Sequence, residues 1–335
     1  MVVAQHVLKP TGVDLGFMGV SLFFALSGYL ITSLLLDELD ARGSVSLGNF
    51  YLRRGARLLP ALFLMIAVCN LLFLAFGDFH PIRGSVYALT YSANYAQVIA
   101  PHSMPGFGPT WTLAVEEHFY IAWPLVLLFV VRRWGIRTAL RATLGACFLA
   151  LVWRLVLALG HVRISLLEIG SLERSDALLY GCAAALALRI GWRPRPWMFA
   201  MGVIGTAAIP VAFHTESYHA AILGQGAMAV ATAAVVVGLD YRAGQRFRAV
   251  LSARPIVTVG VFSYGIYLWH GPVIRVAGDA ALDGGWWRAT AALGAIGAAA
   301  VSYRFVEHPI RRWARTVRPR EAPPATNPAL ARGQS

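Results

Sequence analysis

Three arginines within five positions, Arg53, Arg54 and Arg57, close a charged stretch at the mouth of a long apolar run. A guanidinium presents planar, forked donors that match phosphate or carboxylate oxygens, so such a cluster can hold an anionic ligand. Beside a membrane span it can equally serve only to fix the orientation of that span. Other ionisable or hydroxyl groups interrupt runs that are otherwise apolar: Glu116 and Glu117, Asp176, and Ser263, Tyr264 and His270. Placing such groups in hydrocarbon is costly without a partner or a task, which makes each a functional candidate. Each also has a plainer reading, as a wet side chain at a membrane interface.

The elements that must position these groups are membrane helices. The 335 residues are 58% hydrophobic and only 13% charged, with mean hydropathy +0.60, which excludes an ordinary soluble globular domain. The net charge of +13 comes almost wholly from arginines between apolar runs, with Lys9 the only lysine, and no recognition-helix, RNP-like or zinc-knuckle pattern accompanies it. It therefore reads as membrane topology, with no nucleic acid partner. Nine apolar runs lie near 16–36, 57–76, 111–131, 139–159, 176–188, 197–213, 220–239, 255–275 and 288–305. The fold class expected is an all-α polytopic bundle, with residues 1–317 as the membrane domain and 318–335 a disordered, proline-rich tail.

Alternate connections differ sharply in basic residues, 21 in one set against 4 in the other. The positive-inside rule makes the richer set cytoplasmic, with the C-terminus inside and the N-terminus outside. Glu116, Glu117, Asp176, His270 and His6 then collect toward the outer side, and the arginine cluster sits at the inner edge. Residues 84–99 are expected to form a re-entrant or interfacial helix. Trp111, Tyr120, Trp123, Tyr267 and Trp269 are expected at the interfaces whatever the function. Cys69, Cys147 and Cys182 stand isolated as buried hydrophobes, and no histidine pair has the companions of a metal site.

Five stretches carry a family resemblance: GVSLFFALSGYLIT (19–32), FYLRRGARLLP (50–60), TWTLAVEEHFYIAWP (110–124), VFSYGIYLWHGP (261–272) and SYRFVEHPIRR (302–312). In order and spacing they resemble the acyltransferase 3 family of integral membrane O-acyltransferases, from about His6 to Arg312. The resemblance implies transfer of an acetyl or other short acyl group from cytosolic acyl-CoA to a hydroxyl of a surface glycan, lipopolysaccharide, peptidoglycan or macrolide sugar. It also implies a bacterial inner (cytoplasmic) membrane location. His6 matches the histidine that ends the family's first span and is proposed as catalytic. Arg54 and Arg57 match its Arg-x-x-Arg pair, Glu116 the acid of its Trp-Ser-Leu-x-Val-Glu stretch, and His270 the histidine of its Ser-Tyr-x-x-Tyr-Leu-x-His stretch. Ser21 stands where many members have Asp, Thr112 replaces Ser and His118 replaces Gln.

The chemistry fits these residues. An acyl thioester needs a base for the attacking hydroxyl and donors for the developing oxyanion, and a neutral imidazole is the usual base near pH 7. The expectation is that the acyl-CoA phosphates dock at Arg53, Arg54 and Arg57. His6 then acts as base, oriented by Glu116, while Tyr264 or His270 contacts the oxyanion or acceptor. No bound cofactor and no metal are expected; the partners are membrane lipid, acyl-CoA and a glycan or glycolipid acceptor. The rival readings are a glycan or lipid transporter or flippase, and a non-catalytic membrane scaffold. MVVAQHVL reads as the last turns of an apolar helix, so an upstream extension completing a tenth span is also expected.

Overall fold

The computed structural model describes residues 15–76, 81–101, 104–213, 218, 220–240, 244–279 and 286–317. His6 and the tail 318–335 lie outside them. Helices account for nearly all of the described chain, and no strand occurs among the described residues. In chain order the helices are α1 (Leu15–Arg42), α2 (Leu47–Phe76), α3 (Pro81–Leu89), α4 (Ala93–Ile99), α5 (Trp111–Trp134), α6 (Ile136–Leu159) and α7 (Ile164–Ile169). They continue as α8 (Ser175–Arg189), α9 (Pro196–Ala212), α10 (Gln225–Asp240), α11 (Gln245–Leu251), α12 (Arg254–Asp279), α13 (Trp286–Ser302) and α14 (His308–Val317).

Each of the nine apolar runs falls on a helix, and six helical stretches among the described residues are long and apolar enough to cross a membrane. The other three runs differ for physical reasons. At about 1.5 Å per residue, α8 with 15 residues and α9 with 17 fall short of a core about 30 Å thick. The 26-residue α12 has the length, but Ser263, Tyr264, Tyr267 and His270 dilute its apolar character. Large apolar side chains such as Leu26, Leu30, Phe129, Phe148 and Leu293 face outward, as they do when the surrounding solvent is lipid.

Two packed groups make up the bundle. In the first, α1 crosses α8 at touching backbones, with α10 against both and α6 against α8. A Cβ on Gly28 would fall 2.0 Å from the Leu178 carbonyl oxygen, and one on Gly181 would fall 2.1 Å from that of Ala25. Each helix thus contributes a glycine at the crossing, the close approach that small residues permit between membrane helices. A buried ion pair joins α6 to α8, Arg154 Nη2 to Asp176 Oδ2 at 2.6 Å, with Nη1 donating to Gln225 Oε1 of α10 at 3.1 Å. At the end of α1, Arg189 reaches Asp37 at 3.0 Å and Asp40 at 2.7 Å. The second group packs α12 against α13, with α2 contacting α12, α14 and the segment Tyr303–Glu307.

Two expectations are corrected here. The stretch 84–99 is not one helix: α3 and α4 are separated at Tyr91, whose φ is +53°, with Thr90 Oγ1 bonded to the Val86 carbonyl at 2.8 Å. Nor does it only lie on a surface, since Ala93, Asn94, Ala96 and Val98 of α4 are buried. Several expected interface aromatics are also core residues. Tyr120, Trp123 and Trp269 are buried, Trp123 donating to Thr32 Oγ1 at 2.9 Å. The three cysteines are buried and free.

Candidate active site

Helix α4 and the 3-10 turn Gly108–Thr110 pack against α5. Thr110 and Thr112 are buried. Thr112 Oγ1 donates to Tyr267 Oη at 2.9 Å, and that hydroxyl donates to the Pro109 carbonyl at 2.9 Å, tying α5 to α12. Glu116, one turn further on, is 4% exposed. Its Oε1 accepts hydrogen bonds from Ser27 at 2.6 Å and Tyr120 at 2.9 Å. Glu116 is therefore held from α1 and from its own helix, and among the described residues no hydrogen bond reaches Oε2.

Glu117 points a third of a turn away, toward α2. Arg54 reaches its Oε1 twice, from Nε at 2.8 Å and from Nη2 at 2.7 Å. The guanidinium lies over the Tyr120 ring, 3.1 Å from its centre. One compact unit results: Arg54 clamps Glu117 and stacks on Tyr120, and Tyr120 donates to Glu116. Tyr91 lies close enough to feel the Glu117 charge; burial and that carboxylate push its phenol up to about 12, so it stays a hydroxyl donor at ordinary pH.

This geometry corrects the expected separation of an inner arginine cluster from outer carboxylates. Arg54 and Glu117 are in contact. The three arginines also part company. Arg53 faces Glu38 at 3.7 Å, whereas Arg57 lines a cavity of about 650 Å³ together with Tyr264, Tyr303, Glu307 and Arg311. A single anion site formed by Arg53, Arg54 and Arg57 together is not what the structure shows.

Tyr264 stands between the two features. Its hydroxyl donates to the Leu58 carbonyl at 2.9 Å, its ring lines the cavity, and it feels both Glu307 and the Glu116–Glu117 pair. That hydroxyl is engaged, which weakens the expectation of an oxyanion donor. His270 is buried, and its Nδ1 bonds the Tyr267 carbonyl. A carbonyl only accepts, so Nδ1 carries a proton. His118 contacts Ser171 through Nδ1 at 2.7 Å and stacks on Tyr95. The sequence marked Glu117 as a polar group inside a span but gave it no role, and it did not mark Tyr120 or Ser27 as site residues. Their signal was spacing: Glu116 and Tyr120 lie four apart on one helix face.

Comparison with known proteins assigns the chain. Residues 1–306 match the model of a family described as "Acyltransferase domain". The chain belongs to this acyltransferase family. Among its relatives is the peptidoglycan O-acetyltransferase OatA of Listeria monocytogenes, 33% identical over 93% of this chain and 54% of the relative. The putative peptidoglycan O-acetyltransferase YrhL of Bacillus subtilis is 31% identical, over 88% of this chain and 50% of its own length. The O-acetyltransferase OatA of Staphylococcus aureus is 28% identical, over 89% and 53%. The chain spans about half the length of these curated relatives. No solved structure matches it. The Arg54–Glu117 and Glu116 unit thus belongs to an acyltransferase domain, and all of it lies within the matched region.

Proposed function

We propose that this chain is a multi-pass O-acyltransferase of a bacterial cytoplasmic membrane, moving an acetyl group from acyl-CoA to a peptidoglycan hydroxyl. The observation that carries the reading is the buried unit of Glu116, Glu117, Arg54 and Tyr120, beside an arginine-lined cavity, in a chain of the acyltransferase family. A cytoplasmic C-terminus belongs to the same proposal. It brings the basic starts of α2 and α12 and the basic α14 to the side where acyl-CoA is found.

The residues divide the work. His6, by its match to the family's histidine, takes the proton of the attacking hydroxyl. Glu116, fixed through Oε1 by Ser27 and Tyr120, presents Oε2 to orient that imidazole. Arg54 holds Glu117 and Tyr120 in place, a positioning role, and Arg57 in the cavity meets the donor's phosphates. As the hydroxyl oxygen bonds the acyl carbon, the carbon–sulfur bond breaks. The proton collected by His6 leaves with the CoA thiolate as a thiol. The acetyl choice and the peptidoglycan acceptor are supported by the names of the relatives.

Purified full chain, radiolabelled acetyl-CoA and peptidoglycan fragments test this. The expected result is labelled glycan with stoichiometric CoA release, lost in His6→Ala. Movement of glycan across vesicles without labelling would replace the reading with a transporter. Label transfer that survives His6→Ala would overturn the assignment of the base.

A further inference from the structure

The cavity between α2, α12 and the chain's C-terminal helical segment has its own charge pattern, separate from the Glu116–Glu117 unit. Arg57 enters from α2 and Arg311 from α14, and Glu307 faces them with 3% exposure. Glu307 is bonded to Ser302 Oγ at 3.0 Å, and both arginines act on its charge. Yet among the described residues neither guanidinium has a carboxylate within 4 Å. Arg311 instead lies 5.7 Å from the centre of the Tyr303 ring. Two cations therefore flank a space of about 650 Å³, within the usual range for small-molecule sites, with one buried carboxylate at its wall.

The backbone is shaped for this. Residues Tyr303–Glu307 form a π-helical turn between α13 and α14, a distortion that costs helix regularity and recurs at functional sites. In a regular helix each step of four residues overshoots a full turn by about 40°. The wider π turn falls short over four, so the deviations cancel and Tyr303, Glu307 and Arg311 come onto one line facing the cavity.

We propose that this cavity is a phosphate-ester site in which Arg311 is the second cation and Glu307 a resident counter-charge. Arg57 and Arg311 clamp the phosphate-bearing end of the acyl donor, while Glu307 holds the empty site near neutrality and opposes the bound anion, allowing release. The identity of the ligand as acyl-CoA rests on the acyltransfer reading; the two-arginine clamp and its counter-charge do not. The chemistry favours a ligand carrying more than one negative charge, since a single charge gains little against Glu307.

The test is calorimetric titration of CoA and of inorganic pyrophosphate into the purified full chain in neutral-lipid nanodiscs. Arg311→Gln is expected to weaken CoA binding about tenfold or more, with partial rescue by Arg311→Lys. Glu307→Gln is expected to tighten it about tenfold, a gain that misfolding cannot mimic. Arg312→Gln, at the exposed neighbouring arginine, should leave it unchanged. Unaltered CoA affinity in both Arg311→Gln and Glu307→Gln would overturn the clamp while leaving acyltransfer intact. Arg311-dependent CoA binding without any label transfer would support the clamp and sink the acyltransfer reading. If phosphatidylglycerol nanodiscs abolish CoA binding to the wild type, the site belongs to a lipid headgroup and the donor assignment is overturned.

Discussion

Replacing Arg54 by lysine isolates the contribution of its fork, because the charge survives and the geometry does not. In the structure two guanidinium nitrogens reach Glu117 Oε1, at 2.8 and 2.7 Å, and the plane covers Tyr120 at 3.1 Å. A lysine ammonium keeps one of the two charge-assisted hydrogen bonds and loses most of the stacking. With side chains only 18% and 14% exposed, screening by water is modest. The loss is about 1.5–3 kcal/mol for the hydrogen bond and about 0.5–2 kcal/mol for the stack, or a fall of roughly 5 °C in Tm. Tyr120 then loosens its hold on Glu116, and a misplacement on the order of 1 Å lowers kcat by up to about 100-fold. Initial rates against acetyl-CoA concentration check this: kcat should fall while KM for the donor stays nearly constant. A steep rise in KM at unchanged kcat would show that Arg54 binds donor phosphate directly, and the positioning role would be wrong.

The other predictions concern separate parts of the molecule. His6→Ala should leave an inserted protein whose turnover drops by about two to four orders of magnitude, with loss of a pH–rate limb near neutrality; wild-type turnover would dismiss it as base. Asp176→Asn leaves Arg154 buried beside a neutral amide, at a cost of about 3–5 kcal/mol. Thermal melts should show most of that recovered when Arg154→Met is combined with Asp176→Leu. Gly181→Ala forces the α1–α8 crossing apart and should cost about 1–3 kcal/mol or more. Gly145→Ala, which meets nothing within 4 Å, should be neutral or slightly stabilising in the same melt.

What was legible beforehand follows from the physics that writes it into the sequence. Helices in lipid need long apolar stretches, so the nine runs could be read and each falls on a helix. Glu116 stood out because a carboxylate inside such a stretch demands a partner. The depth of that partner was not legible. Counting from loop ends put Glu117 and Arg54 on opposite sides, whereas in the structure they are in contact. Helical periodicity alone did not part the three arginines, since Arg57 lies four residues from Arg53 and three from Arg54, both same-face spacings. Arg311 was read as topology charge because the π turn that aims it at the cavity has no sequence signature of its own.

The glycine crossing of α1 and α8 has a mechanical consequence. Where two backbones touch with no side chain between them, there are no rotamers to yield, so the contact acts as a fulcrum. Helices that tilt to match a thinner or thicker bilayer rotate about such a point. Ser27 is the neighbour of Gly28 and donates to Glu116, so it sits almost on the pivot and moves least. The cavity at Arg57 and Arg311 belongs to the other helical group, away from this pivot. Lipid chain length is therefore expected to change the KM for acyl-CoA far more than kcat, a separation that reconstitution in short- and long-chain lipids can measure.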